Sequence, residues 1–180
     1  MTAAVLVIDT QQGLCEGDGA AFECAATIQR INQVTAKARA AGAPVIFVQH
    51  ESDVGYLTFE SDAWQLADGL HVARADLRLR KRTPDSFHQT DLEVLLARHG
   101  VKRLVVCGMH TEYCVDTTTR RALTLGYPVV LVADAHTSAG NAHLSPTQVI
   151  AHHNATLGSI MSFGPRAHAM PAADVRFDNA

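Results

Sequence analysis

Apolar residues along this chain follow two alternating patterns. Short runs dominated by apolar residues, Ala3–Ile8, Val45–Gln49, Leu104–Cys107 and Val129–Ala133, have the length of buried strands. Between them, Glu23–Ala41, Asp91–His99, Glu112–Leu125 and Pro146–Leu157 repeat apolar residues every three or four positions, the period of an amphipathic helix. Gly42 with Pro44, Gly100 and Gly126 close three of these helices. Leu77–Lys81 completes the set as a strand with strict alternation. Strands alternating with helices predict a doubly wound α/β fold: a mainly parallel sheet with helices on both faces, in a Rossmann-like three-layer α/β/α arrangement.

Two stretches break this rhythm. Residues 51–73 are too long for an ordinary connection and carry Tyr56, Leu57, Phe59, Trp64 and Leu66 among acidic residues, which predicts a lid, a pocket wall or a subunit contact. The tail from Pro165 to Ala180 is weakly patterned, and no element is assigned to it.

Composition narrows the functional classes. With 180 residues, 47% hydrophobic, the pattern reads as one domain over 1–180 with a substantial core. A net charge of −3 gives no basic surface for nucleic acid or anionic lipid, so a small-molecule substrate is the expected partner. Ala3–Ile8 is too short for a signal core or a membrane span, so cytoplasmic residence is expected. That compartment disfavours disulfides, and no two of Cys15, Cys24, Cys107 and Cys114 form a C-x-x-C pair. Cys24 and Cys107, in a helix and a strand, read as inert small hydrophobes, while Cys15 stays ambiguous.

In open α/β sheets ligands bind beyond the carboxyl ends of the strands, and the residues there are polar: Asp9 and Gln11, His50 and Glu51, Lys81, Gly108 to Cys114, then Asp134, His136 and Ser138. Lys81 shares its strand face with Leu77 and Leu79, opposite Arg78, Arg80 and Arg82. A lysine in an apolar row needs an acidic partner, and Asp9 is the candidate. Cys114 follows a strand and a turn at Gly108, with Thr111 as expected N-cap, so it falls in a helix's first turn. There the helix dipole favours a thiolate, and free N–H groups are available to an oxyanion. Carboxylate, ammonium and thiol from three segments suit nucleophilic catalysis.

Asp9-Thr10-Gln11, Lys81 with Ser86-Phe87, Gly108-Met109-His110-Thr111-Glu112-Tyr113-Cys114-Val115, Gly126-Tyr127-Pro128-Val129, Asp134-Ala135 and His152-His153-Asn154 together resemble the isochorismatase-like cysteine hydrolase family. The resemblance implies a catalytic set of Asp9, Lys81 and Cys114, and a homo-oligomer, dimer or tetramer. It also implies a non-proline cis peptide before His110, with the N–H groups of His110 and Cys114 as the oxyanion hole. Substrate contacts are expected from Gln11, Leu14, Trp64, His110 and His136. Leu14 replaces an aromatic residue frequent in the family, and His110 is bulkier than the usual small residue. Nicotinamidase-like members resemble one another in an Asp-x-His metal pair, whereas this chain has Gln49-His50-Glu51-Ser52-Asp53. His50, Asp53 and His71 therefore lack ligand spacing, and no metal or cofactor is expected. The implied activity is hydrolysis of a small amide, ureido or carbamoyl compound through a thioester on Cys114. The alternatives are an isochorismatase-type vinyl ether hydrolase, which needs no thiol, and a non-catalytic binding module on the same fold.

Overall fold

The computed structural model describes residues 2–177. Six parallel strands form one sheet in the order β3-β2-β1-β4-β5-β6: β1 (Ala3–Ile8), β2 (Val45–His50), β3 (Leu77–Lys81), β4 (Arg103–Met109), β5 (Val129–Thr137) and β6 (Ala167–Met170). The helices are α1 (Gln12–Cys15), α2 (Cys24–Ala40), α3 (Leu92–Arg98), α4 (Asp116–Thr124) and α5 (Pro146–Ser159). The expected three-layer architecture is therefore observed.

Each face of the sheet has its own apolar core. Leu6, Ile8, Ile46, Val48, Leu104, Val106 and Leu131 pack against Leu92 and Leu96 of α3, Ala122 and Leu123 of α4, and Leu157 of α5. Val5, Val7, Phe47, Val105 and Val132 point the other way, onto Ile31, Val34 and Ala38 of α2. Burial on both faces explains why the central strands read as unbroken apolar runs instead of alternating ones. α5 starts at a capping box in which Ser145 and Gln148 satisfy each other's backbone N–H groups, followed by Pro146.

The tail carries more structure than its pattern suggests. Residues 167–170 add β6 as the sixth strand beside β5, and Ala172 and Val175 then cover the α2 face. Lys37 fastens this segment by donating to the carbonyl oxygens of Ala172, Ala173 and Val175. With Ala-His-Ala-Met as its sequence, β6 has a burial pattern set by its neighbours, so periodicity alone could not reveal it.

A second correction concerns the cysteines. Cys15 and Cys24 form a disulfide with Cα atoms 5.7 Å apart, closing the loop between α1 and α2. Cys24 is thus not an isolated hydrophobe, and Cys15 has a structural role. The chain returns after α1 through a turn at Gly17-Asp18-Gly19, where Gly17 has a φ of 75°. Cys107 and Cys114 remain free.

The chain leaves β1 toward β2 and β3, then crosses back to place β4 on the other side of β1. The crevice beyond the carboxyl ends of β1 and β4 is thus the topological switch point, where doubly wound sheets bind ligands. No helix among the described residues is long and apolar enough to cross a membrane.

Candidate active site

Asp9 leaves β1 in the left-handed region, with φ of 47°, a conformation that aspartate tolerates better than most residues. Its N–H is held by the Val48 carbonyl at 2.8 Å. β3 delivers Lys81 in the expected phase: Leu79 and Lys81 are buried, whereas Arg78 and Arg80 are exposed. Near the end of β4, Gly108 pairs in register with Ile8, and a Cβ there would lie 2.0 Å from the Ile8 carbonyl oxygen. With φ of +118° as well, this position admits only glycine, which lets β4 approach β1 where the site is built. The Met109–His110 peptide is cis, as the resemblance implied.

Cys114 follows in a π-type turn, Thr111–Val115, that leads into α4. His110, not Thr111, occupies the N-cap position, and its carbonyl accepts from the N–H groups of Tyr113 and Val115. The Thr111 hydroxyl is turned away to His136 Nδ1, 2.8 Å distant, so the expected N-cap is corrected.

These segments converge on the Lys81 ammonium. It lies 2.6 Å from Asp9 Oδ2, 3.2 Å from Cys114 Sγ, 3.0 Å from the Thr83 carbonyl oxygen and 3.3 Å from His50 Nδ1. Asp9 is 1% exposed and Lys81 2%. Burial by itself would lower the Lys81 pKa, but Asp9 and Cys114 beside it raise it above its ordinary value, so the lysine is charged. At Cys114 the pull of the helix end toward a thiolate is outweighed. Burial, reinforced by the Asp9 carboxylate and opposed by Lys81, pushes its pKa up to about 12. At neutral pH the site is a thiol beside an ammonium–carboxylate pair. The other oxygen, Asp9 Oδ1, is buried without a hydrogen-bond partner and so is free to receive a proton.

Above Cys114 opens a cavity of about 580 Å³. Leu14 and His110 line it, together with Asp9, His50 and Tyr113. Residues of the 52–57 segment complete the wall, one of the three roles expected of the 51–73 excursion. Three expected substrate contacts are elsewhere. The buried Gln11 amide exchanges two hydrogen bonds with the His50 backbone, 3.0 and 2.8 Å, and donates to the Trp64 carbonyl oxygen at 2.8 Å. It therefore fixes the wall from behind. Trp64 packs edge-on against Phe59 and lines a separate cavity beside β3. His136 is locked between Thr111 and Asn154, inside the fold.

His50, placed by sequence at the ligand-binding edge but given no part in the catalytic set, joins the site. The signal existed: β2 and β3 pair in register at His50 and Lys81, so the two side chains emerge together at the strand ends. Burial first, and Lys81 second, hold its pKa below the ordinary imidazole value. His50 does not meet Asp53 and His71. Asp53 is exposed and paired with Arg82, and His71 is exposed. Among the described residues, the metal-capable donors that gather within 4.8 Å are those of Asp9, His50 and Cys114. The Lys81 ammonium contacts all three, taking the place that a cation would fill.

Residues 3–160 match the model of the isochorismatase domain. The chain belongs to the isochorismatase family. A crystal structure of an isochorismatase family protein superposes with a TM-score of 0.85 at 36% identity, covering 93% of this chain and 97% of that one. Streptothricin hydrolase of Streptomyces noursei is 37% identical over 134 residues, 74% of this chain and 49% of that protein. The chain thus spans about half the length of that relative. Ureidoacrylate amidohydrolase RutB of Pseudomonas syringae pv. syringae is 29% identical, over 76% of this chain and 71% of that protein. The isochorismatase family relatives named for a reaction here are thus hydrolases, one of them an amidohydrolase by name.

Proposed function

We propose that this protein is a cysteine-dependent hydrolase of a small amide-type compound, with Cys114 as nucleophile, Asp9 as acid and base, and Lys81 as the cation that organises both. The observation that carries the reading is the buried ammonium 2.6 Å from Asp9 Oδ2 and 3.2 Å from Cys114 Sγ at the base of a cavity. A vinyl ether hydrolase has no use for a thiol at that point. The name of the ureidoacrylate amidohydrolase supports cleavage of a C–N bond.

As the sulfur attacks the carbonyl carbon, the thiol proton passes to the unpartnered Asp9 Oδ1. Transfer during attack avoids a free thiolate next to a carboxylate, which the raised Cys114 pKa disfavours. The backbone N–H groups of His110 and Cys114 receive the oxyanion. Collapse breaks the C–N bond, and Asp9 gives its proton to the departing nitrogen. A water molecule, deprotonated by Asp9, then cleaves the thioester, and the proton returns to sulfur as the acid product leaves. Lys81 keeps its charge throughout and holds Asp9 and Cys114 in line. Ammonia or amine release from a panel of amides and ureides, by wild type and Cys114→Ala, tests the proposal. Release of equal rate from both proteins would reject it.

A further inference from the structure

Among the described residues, the cavity over Cys114 offers a ligand no free positive charge. Leu14, Val54, Leu57, Tyr56 and Tyr113 form an apolar and aromatic wall. Lys81 lies beneath it with its three protons committed to Asp9, Thr83, Cys114 and His50. Two imidazoles face the cavity, His50 and His110, and burial holds both below their ordinary pKa, leaving them neutral at pH 7. Arg80 and Arg82 are paired with Glu51, and they line the separate cavity beside β3. A substrate carboxylate entering over Cys114 would lose its water, find no cation and approach the Asp9 carboxylate. At about 580 Å³ the cavity also has room for a ring-sized group beyond the scissile amide.

We infer that the substrate of this site is an uncharged amide carrying an apolar or aromatic group, and that carboxylate-bearing amides are poor substrates. The inference rests on the reading of Cys114 as nucleophile. It separates this chain from its relative named for ureidoacrylate, which is itself a carboxylate.

The test compares two primary amides of matched shape, 4-methylbenzamide and 4-carbamoylbenzoate, by ammonia release from the full chain at pH 7.5. A kcat/KM about 100-fold higher for the uncharged amide is expected, the scale on which a misplaced charge is rejected. Equal values, or a preference for the carboxylate, would overturn the inference. Alkylation supplies a second reading that needs no turnover. The ratio of Cys114 labelling by iodoacetamide to labelling by iodoacetate is measured against the same ratio for 2-mercaptoethanol. A ratio at least about tenfold above that of the free thiol is expected from exclusion of the anion; a ratio equal to or below it rejects the charge preference even if neither benzamide is cleaved. Full labelling of Cys114 that spares amide hydrolysis would instead reject the nucleophile assignment, so the two failures are told apart.

Discussion

Replacing Lys81 by methionine keeps the side chain's length and removes its charge, leaving Asp9 in a pocket where it is 1% exposed. Breaking a buried ion pair from one side costs about 3–5 kcal/mol. The variant can escape by keeping the aspartic acid protonated, which sets a ceiling. For an aspartate that titrates near pH 3.9 in the unfolded chain, holding the proton at pH 7 costs about 4 kcal/mol. The ceiling falls by about 1.4 kcal/mol for each pH unit below 7, so roughly 1.5 kcal/mol remains at pH 5. Urea denaturation of wild type, Lys81→Met, Asp9→Asn and the double variant at both pH values measures this directly. The expected result is a Lys81→Met penalty near 4 kcal/mol at pH 7, smaller at pH 5, and mostly recovered in the double variant. A penalty below about 1 kcal/mol, or one independent of pH, would refute the reasoning. The lysine itself does not cause this pH dependence. Its pKa is raised in the folded state, so its contribution is complete below the ordinary 10.5 and is lost only as pH rises through the folded value.

Cys114→Ala is expected to stop turnover while keeping wild-type circular dichroism, because the side chain meets the cavity on one side; loss of folding would mark a structural cysteine. Asp9→Asn is expected to lower kcat at least about 100-fold, since the amide cannot accept the thiol proton; near-normal kcat would remove Asp9 from the proton path. His50, His110 and His136 all have lowered pKa values, with burial the largest cause. The stability linked to them is complete above the ordinary imidazole value of 6.5 and is lost as pH falls through their folded values. Thermal unfolding should therefore show Tm falling from pH 7.5 to 5, and a flat profile would contradict these assignments. Gly108→Ala should cost more than about 4 kcal/mol because of its clash with Ile8, whereas Gly158→Ala in α5, which meets nothing within 4 Å, should be neutral or stabilising; similar urea midpoints for the two would deny Gly108 its close-approach role.

The parts of this molecule readable from sequence are those governed by local periodicity. Lys81 could be placed beside Asp9 because strand alternation put it in the row of Leu77 and Leu79, where an unpaired charge is costly. Gly108 and the turn after β4 announced Cys114. What escaped was fixed by contacts between distant segments. β6 exists because β5 offers an edge, although Ala-His-Ala-Met has little strand pattern. Trp64 and His136 are chemically plausible ligands, but their directions depend on how residues 51–73 fold back and on where Asn154 lies. The Cys114 ionisation is left open by the sequence for the same reason. A helix N-terminus argues for a thiolate, but burial and Asp9 outweigh it, and neither can be sized from sequence.

The central claim is that Cys114 forms a covalent bond with the substrate's acyl carbon. The most direct test is acid quenching of the wild-type enzyme during turnover of an amide substrate, followed by mass spectrometry of the peptide containing Cys114. An increment equal to the acyl group is expected on that cysteine, present during turnover, gone once substrate is exhausted, and absent from Asp9→Asn mixed with the same amide. A Cys114 peptide of unmodified mass at every quench time, together with turnover by Cys114→Ala at the wild-type rate, would contradict it.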